Sequence, residues 1–475
     1  MAFGPEQLYF GTEYAFEVTV EYEGETYAGK LSLTKDAVHL FVSAEIAEGK
    51  QDFLPWDHIA QIDCHAFNAT ITLVDLRFMS GSSRSIGYSP RKGFCERKYE
   101  VGFVIYSQTQ FDYHRSFCGI SIHSDTISKW IGNTEKQEDI IKLYESGDLF
   151  RHHNHFLEFS WSIPSIGLIE VAYNTTMFHS SPEFRAGITF PPSLCLYFAR
   201  DLSVEKSLGM AADLITFFKF ITGGNVELNK IELLSRGETF TKSATLFFPR
   251  ADSYRREDEY IFFPLGKDLR FDQLGLPELP SDILANFFLQ NARQSNFFKK
   301  YLKYKDMKSN EEKFLGLFRL LEALAYKEGK YLDEDTLVEL ANRSKPYLVK
   351  KFGDQKSVID FLKRIPKWNL SKYNTEKCII DLLRMVPNSV SDKWKYDAKD
   401  IAAICKLRND ITHANEYEAS TTTVSGYTKF IEALVVYSLL IKIGIDSNSS
   451  SAILSRLSGY YELAKFDGIT TRATP

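Results

Sequence analysis

The sequence predicts a multidomain α+β protein, with a β-rich N-terminal region over residues 1–280 and an all-α helical bundle over residues 281–475. Three observations support this fold class. Apolar residues alternate with polar residues early in the chain, which is typical of half-buried strands. Later they recur every three or four residues, which is typical of helices. Between the two parts lies LGKDLRFDQLGLPELPSD (265–282), whose glycines and prolines mark a domain boundary.

The N-terminal region contains a predicted hairpin and several further strands. Alternation runs from Phe16 to Tyr22, the glycine of EGE (23–25) supplies a turn, and alternation resumes from Tyr27 to Leu33. Residues 69–78, 99–107 and 119–124 also favour strands. Helical patterns follow at 134–147 and at 203–224, where the second is ended by two glycines. The pattern leaves open whether this region is one domain or two, divided near residues 130–150.

The C-terminal half reads as helices with apolar stripes. NEEKFLGLFRLLEALAYKEG (310–329) begins with acidic residues, which favour a helix N-terminus, and is expected to end at Gly329. SVIDFLKRI, TEKCIIDLLRMV, DAKDIAAICKLRNDI and VSGYTKFIEALVVYSLLIKIG indicate further helices. A bundle of about five helices is therefore expected.

The cysteines and the apolar segments favour an intracellular, cytoplasmic protein with no membrane partner. The six cysteines lie far apart without a CxxC pair, so reduced thiols are expected. The first residues lack the basic and apolar segments of a signal peptide. The most apolar stretch, residues 430–445, carries Glu432 and Lys442 and is short for a bilayer.

Charge is divided unevenly between the two parts. Residues 281–475 contain 31 Lys and Arg against 24 Asp and Glu, whereas the preceding residues contain 26 against 38. The C-terminal part is therefore the one expected to approach a polyanion. No GxxxxGK[ST], GxSxG or HExxH pattern occurs, so the sequence gives no support for a P-loop ATPase, a serine hydrolase or a zinc protease.

LRNDITHANEY (407–417) carries a candidate catalytic group of residues. On a helix that starts near Ile401, Arg408 falls on the apolar stripe, and a buried arginine requires an anion or another subunit as its partner. His413 lies about 140° further round an ideal helix. The two side chains can share a site if the helix ends near His413, and Asn409 could hydrogen-bond the histidine ring from one turn earlier.

The R-x4-H spacing in LRNDITHA, in a basic helical region followed by one long apolar helix, resembles the motif of the HEPN ribonuclease superfamily. GKLSLTKDAVHLFV, FCGISIHSDTISKWIG and FLGLFRLLEALAY extend the likeness to ApeA-type anti-phage defence proteins. The resemblance implies a β-rich N-terminal region joined to a C-terminal HEPN domain. It also implies cleavage of RNA, with transfer RNA as one candidate, without metal or cofactor, in a homodimer or higher even oligomer.

By the same resemblance, Arg408 and His413 are the catalytic residues and Asn409 orients the site, with Asp410 and Glu322 in supporting roles. An alternative for Glu322 is a surface pair with Arg319 on the same helix. The N-terminal region would sense a phage-encoded trigger. The competing interpretation is a non-catalytic HEPN-like protein that binds RNA or acts as a scaffold, with a structural R-x4-H motif.

Two further patterns allow alternative interpretations. NFFKKYLKYKDMK (296–308) interleaves aromatic and basic residues, so Lys299, Lys300 and Lys303, together with Lys406, are candidate RNA-binding residues. A solvated amphipathic helix explains this segment equally well, and KPYLVKK and LKRIPKW are weaker candidates of the same kind. HHNH (152–155) with scattered cysteines suggests zinc, but the spacing matches no zinc frame, so no metal is expected.

Overall fold

A computed structural model describes residues 5–47, 54–85, 92–108, 116–149, 156–180, 185–236, 241–249, 261–265, 277, 279–280, 282–292 and 296–465. The chain divides into two compact units, Met1–Ala285 and Asn286–Pro475. The sequence placed its boundary at 280/281. The first unit is rich in strands and the second is helical, so the predicted fold class is confirmed.

The first six strands close into a barrel. They are β1 (Tyr14–Tyr22), β2 (Glu25–Leu33), β3 (Val38–Ala47), β4 (His58–Ala66), β5 (Ala69–Ser85) and β6 (Lys92–Ser107). Their order is β3-β2-β1-β4-β5-β6, and β3 also pairs with β6, which closes the ring. Glu23 and Gly24 join β1 to β2 with φ of 49° and 79°, and two positive φ angles are typical of a type I′ hairpin turn. The predicted hairpin is therefore confirmed.

Alternating side chains fill the interior of the barrel. Val20, Leu31, Leu40 and Cys64 are fully buried, while their neighbours on each strand are exposed or half-buried. Burying each such aliphatic side chain contributes roughly 1.5–3 kcal/mol. The period of two that predicted the strands thus also specifies which face of each strand forms the core.

The sheet continues beyond the barrel through β14. This second half contains β7 (Phe117–Ser124), β8 (Phe156–Ile163), β9 (Gly167–Tyr173), β12 (Pro192–Leu202), β13 (Leu228–Arg236) and β14 (Thr241–Phe247), while β10 (Thr176–Ser180) and β11 (Arg185–Thr189) form a separate hairpin. The strand order is β6-β14-β13-β7-β12-β9-β8. The barrel ends at Ser107 and β7 already belongs to the second half, so the change in sheet architecture precedes the 130–150 division considered from sequence.

Three helices accompany this second half of the sheet. They are α1 (Asp125–Ile131), α2 (Glu135–Glu145) and α3 (Val204–Thr222). Helix α3 ends as predicted, with Gly223 in the left-handed conformation (φ 78°). That conformation is readily adopted by glycine because it has no Cβ.

The second unit is a helical bundle. Its helices are α4 (Ile283–Ala292, which spans the division), α5 (Phe297–Lys305), α6 (Asn310–Ala325), α7 (Glu334–Phe352), α8 (Gln355–Asn369), α9 (Thr375–Leu383), α10 (Asn388–Ser391), α11 (Asp400–Thr412), α12 (Thr421–Lys442) and α13 (Ser447–Leu454). The expectation of about five helices was too low. Helix α6 also ends at Ala325 rather than at Gly329, which instead forms an isolated bridge with Ser371.

Helix α12 forms the core of this bundle. It is long and apolar enough by length and composition to cross a membrane, but 78% of its most apolar window is buried inside the fold. Fourteen of its residues are buried, including Glu432. Its apolar composition is therefore explained by packing against its neighbours, chiefly α6.

Candidate active site

Helix α11 ends at Thr412, where the sequence analysis expected it to end. His413 is the C-cap residue, and its N–H donates to a carbonyl of the preceding turn (3.0 Å). Ala414 follows with a left-handed φ of 54°, and the N–H of Asn415 donates to Asp410 O at 2.9 Å. This is the Schellman arrangement, which usually has glycine in the left-handed position. The closed helix end places the His413 side chain outside the regular helix.

Arg408 lies beside the buried stripe of α11 rather than in its middle. The buried residues are Ile401, Ile404 and Leu407, which pack inside the chain's own bundle, and the Arg408 side chain is 31% exposed. The sequence placed Arg408 on the stripe, so its position at the edge is a correction, and the stripe itself is filled by packing within one chain. The guanidinium nevertheless has an anionic partner, because its Nη2 donates to Glu322 Oε2 at 3.1 Å.

Glu322 connects three helices at this point. It lies in the last turn of α6, pairs with Arg408 of α11, and accepts a hydrogen bond from the Thr375 hydroxyl of α9 at 2.7 Å. No ion pair joins it to Arg319 among the described residues, so the alternative pairing is not the observed one. Thr375 was missed by the sequence analysis, since it is distant along the chain and its segment signals only a helix start.

Asn409 is bound to Arg408 instead of to the histidine ring. Its Oδ1 accepts from Arg408 Nη1 at 2.9 Å, and its backbone carbonyl accepts from the His413 N–H. The predicted ring hydrogen bond is therefore replaced by a backbone one. Asp410 bonds to Asn415 through both backbone and side chain, at 2.9 and 3.4 Å. Asp410 thus stabilises the loop after the helix and contacts neither Arg408 nor the His413 ring.

The His413 side chain is exposed, and its ring has no hydrogen-bond partner in the described part of the chain. Arg408 carries a fork of five N–H donors, of which one on each Nη is used by Glu322 and Asn409. The same R-x4-H segment thus carries an oriented guanidinium with unused donors and, five residues later, an accessible imidazole. This combination is suited to an anionic ligand that undergoes proton transfer.

The pKa of the Cys405 thiol is affected by the charged groups of this site. Burial first, and then the nearby carboxylates Glu376 and Glu322 against the opposing charge of Arg408, raise the pKa of its thiol to about 11. Glu376 and Glu322 therefore shift the pKa of Cys405 in the direction opposite to Arg408.

The four candidate RNA-binding lysines lie on two helices. Lys299, Lys300 and Lys303 are exposed on α5, and Lys406 is exposed on α11. The rings of α5 point the other way, since Phe298 and Tyr301 are buried and the Tyr301 hydroxyl donates to Glu432 (3.2 Å). Two of the four interleaved aromatic residues thus form core and the other two, Phe297 and Tyr304, are half-buried, which favours the amphipathic alternative for this helix.

The zinc alternative receives no support from the described ranges, in which no group of three or more His, Cys, Asp or Glu side chains could hold a metal ion. Cys64, Cys95 and Cys118 are buried. HHNH (152–155) lies outside the described residues.

The helical bundle carries an R-x4-H segment at the end of one helix, and the arginine of this segment pairs with a carboxylate of a second helix. This arrangement is that of a HEPN-type protein, and the family model Apea-like HEPN matches residues 315–449. This range contains Glu322 and the whole segment 408–413. The model ApeA N-terminal domain 1 matches residues 13–271, more than half of the chain. The chain therefore belongs to the ApeA-type HEPN proteins, an assignment that supports a protein of anti-phage defence. Comparison with curated proteins and with solved structures gives no match.

Proposed function

We propose that this chain is a metal-independent endoribonuclease of anti-phage defence that leaves 2′,3′-cyclic phosphate and 5′-hydroxyl ends. One observation carries the proposal: Arg408 is oriented by Glu322 and Asn409 and keeps unused donors, and His413 of the same R-x4-H segment is exposed at the end of α11. Its HEPN family membership supports the same reaction. A soluble, cytoplasmic protein is consistent with the burial of α12.

The chemistry follows from these two side chains. The ribose 2′-oxygen attacks the adjacent phosphorus while a histidine removes the 2′-hydroxyl proton. The P–O5′ bond breaks, and the leaving 5′-oxygen takes a proton from a protonated histidine. The phosphorane between these steps gathers negative charge, which the Arg408 guanidinium neutralises through paired hydrogen bonds.

A dimer or higher even oligomer supplies the second histidine. Each chain has one R-x4-H segment and so supplies one catalytic histidine. At the start of a turnover that imidazole is either neutral, and can act as the base, or protonated, and can act as the acid. Two copies of His413 in one cleft provide both groups at once. The exposure of His413 and Asn409 supports this arrangement, because neither side chain is covered within its own chain.

The N-terminal unit restrains the nuclease until a phage-encoded trigger binds. The charge split supports this part of the proposal, since an acidic region can oppose RNA binding by a basic one. The segment 281–475 should then cleave RNA faster, and be more toxic on expression, than the full chain. Equal activity and toxicity would show that restraint is the wrong idea.

The reaction is tested by incubating the full chain, with its trigger if one is needed, with transfer RNA and with unfractionated cellular RNA in EDTA. Cleavage should persist, its products should carry 2′,3′-cyclic phosphates, and a 2′-deoxy nucleotide at the cleavage site should block it. Loss of cleavage in EDTA would contradict the mechanism. The alternative, a non-catalytic HEPN-like RNA-binding or scaffolding protein, predicts RNA binding without any cleavage.

A further inference from the structure

Helices α7 and α8 form a hairpin that is tied at both ends. At the tip, Gly353 ends α7 with a left-handed φ of 72°, and the Asp354 side chain caps α8 by accepting from two backbone N–H groups. At the base, the buried Asn369 side chain accepts from Leu332 N (2.8 Å) and donates to Leu332 O (2.9 Å). A backbone bond from Tyr331 N to Asn369 O (3.1 Å) completes this clamp. The hairpin is therefore an ordered element.

Very little of this hairpin is used for core packing. Helix α7 has no fully buried residue, and α8 buries only Val358 and Asn369. The two helices pack chiefly against each other. Apolar side chains on such an element are normally few, because exposing them to water is unfavourable.

Large aromatic side chains are nevertheless exposed on both helices, spaced with basic residues. On α7, Tyr347 is 68% exposed and falls on one helical face with Arg343 and Lys350. On α8, Phe361 (49%) and Trp368 (51%) share a face with Arg364, and their rings meet edge to face at 5.6 Å. Phe352 at the tip is 70% exposed.

The positive charge of the C-terminal part is concentrated here. Residues 343–372 contain nine Lys and Arg against two Asp and Glu, and the remainder of 281–475 contains 22 of each sign. Lys350, Lys351 and Lys363 are exposed and form no ion pair with any described residue. The two helices as a whole (334–369) contain eight Lys and Arg against five Asp and Glu, because the first turns of α7 contain three acidic residues, so the positive excess lies in the second half of α7 and in α8.

The hairpin also begins and ends beside the candidate active site. It follows α6, whose last turn carries Glu322, and it leads directly into α9, whose first residue is Thr375. These two residues are hydrogen-bonded to each other, and Glu322 holds Arg408. The hairpin base is therefore linked through short chain segments to the helices that hold Glu322 and Thr375.

We propose that the α7–α8 hairpin is the docking surface for single-stranded RNA, with bases stacked on Tyr347, Phe361 and Trp368 and phosphates paired with the intervening basic residues. Stacking on aromatic rings between cations is how proteins hold single strands without reading sequence. The inference rests on the proposed function, because it takes RNA as the substrate. It moves the main binding surface from α5, whose rings are buried, to α7 and α8.

The charge favours RNA over a second copy of the chain as the occupant. Subunit interfaces are depleted in lysine at their core, and two identical hairpins with this excess would repel one another. An RNA backbone offers the complementary charge at each phosphate.

The test measures binding without cleavage, using the full chain and a fluorescent 2′-O-methyl oligouridine, which lacks the attacking hydroxyl. Tyr347→Ser with Trp368→Ser should raise Kd by about tenfold or more. Lys350→Glu with Lys363→Glu should raise Kd and reduce the dependence of binding on salt. The matched control, Lys136→Glu with Lys142→Glu on α2, makes the same change of charge at two solvent-accessible lysines and should stay within about twofold of the wild type. Unfolding midpoints of all variants should match.

Failure of the wild type to bind, or equal Kd in the hairpin variants, would overturn the proposal. Unchanged Kd with a change in oligomeric state would make the hairpin a subunit interface instead. These outcomes are separate from the nuclease assignment: lost binding in the hairpin variants with no cleavage by the wild type would refute the reaction alone. Cleavage that the hairpin variants retain in full would refute the docking surface alone.

Discussion

Arg408 is fixed in place by its neighbours and retains unused donors for a ligand. Glu322 and Asn409 each accept from one Nη atom, and the guanidinium lies over the Phe318 ring, 5.4 Å from its centroid. The motif spacing predicted Arg408 and His413 as candidates, and the resemblance to HEPN proteins implied Glu322 in a supporting role. The Thr375 contact was not predictable, because it depends on how α6 and α9 pack.

Removing the carboxylate charge from Glu322 should loosen Arg408. We expect Glu322→Gln to reduce RNA cleavage by on the order of tenfold, since small displacements of a positioning group cost this much. The same variant should lower the pKa of Cys405 below about 11, because one of the carboxylates that raise it is neutralised. The pH dependence of Cys405 alkylation, followed by mass spectrometry, measures that shift.

Arg319→Gln is the matched control for Glu322→Gln, since it removes the alternative partner on the same helix. It should leave both cleavage and the alkylation profile of Cys405 unchanged. Equal losses in the two variants would mean that Glu322 acts only through the stability of α6.

At the scale of elements, the periodicity of apolar residues predicted most strands and helices. It did not predict segments whose structure depends on contacts with residues distant in the sequence. Helix α7 was not predicted, because it contains Pro346 and has no buried stripe to give a period. Residues 261–265 are an apolar run that forms no strand; Phe262 and Phe263 donate backbone N–H groups to the last carbonyls of α3. A short apolar run looks the same whether it pairs with a strand or covers a helix end.

Helix α12 carries a buried carboxylate that ties α5 to the core. Glu432 is fully buried and accepts from the Tyr301 hydroxyl (3.2 Å) and from Lys429 Nζ (2.8 Å). Burial alone would raise the pKa of Glu432, but the charges of Lys429 and Lys313 hold it below its ordinary value. The ionised form therefore stabilises the fold.

Glu432→Gln should lower the free energy of unfolding by about 3 kcal/mol at pH 7, because it leaves a buried cation without its counter-charge. A carboxylate with a lowered folded-state pKa contributes fully above its unfolded pKa, about 4.3, and loses that contribution as pH falls through the folded value. The difference between variant and wild type should therefore be constant near neutral pH and shrink in acid. Urea unfolding across pH measures it, with the exposed Glu328→Gln as control. A difference that persists in strong acid would exclude the ionic explanation.

At the scale of the whole molecule, the sequence predicted an acidic β-rich part and a basic helical part, and the two units and two family matches agree with that division of the chain. The total charge did not reveal where the basic residues concentrate or which aromatic residues stay exposed. Those properties depend on tertiary packing, in which Phe298 and Tyr301 of α5 are buried whereas Tyr347, Phe361 and Trp368 of the α7–α8 hairpin are exposed.

The most direct test of the central claim is RNA cleavage by the full chain carrying Arg408→Ala or His413→Ala, alongside its oligomeric state and unfolding midpoint. Each substitution should abolish cleavage, because one removes the phosphate clamp and the other the proton carrier. The oligomer and midpoint should stay nearly unchanged, since the two side chains are half-exposed and exposed. Undiminished cleavage in either variant would contradict the assignment, and loss of folding in both would make the motif structural.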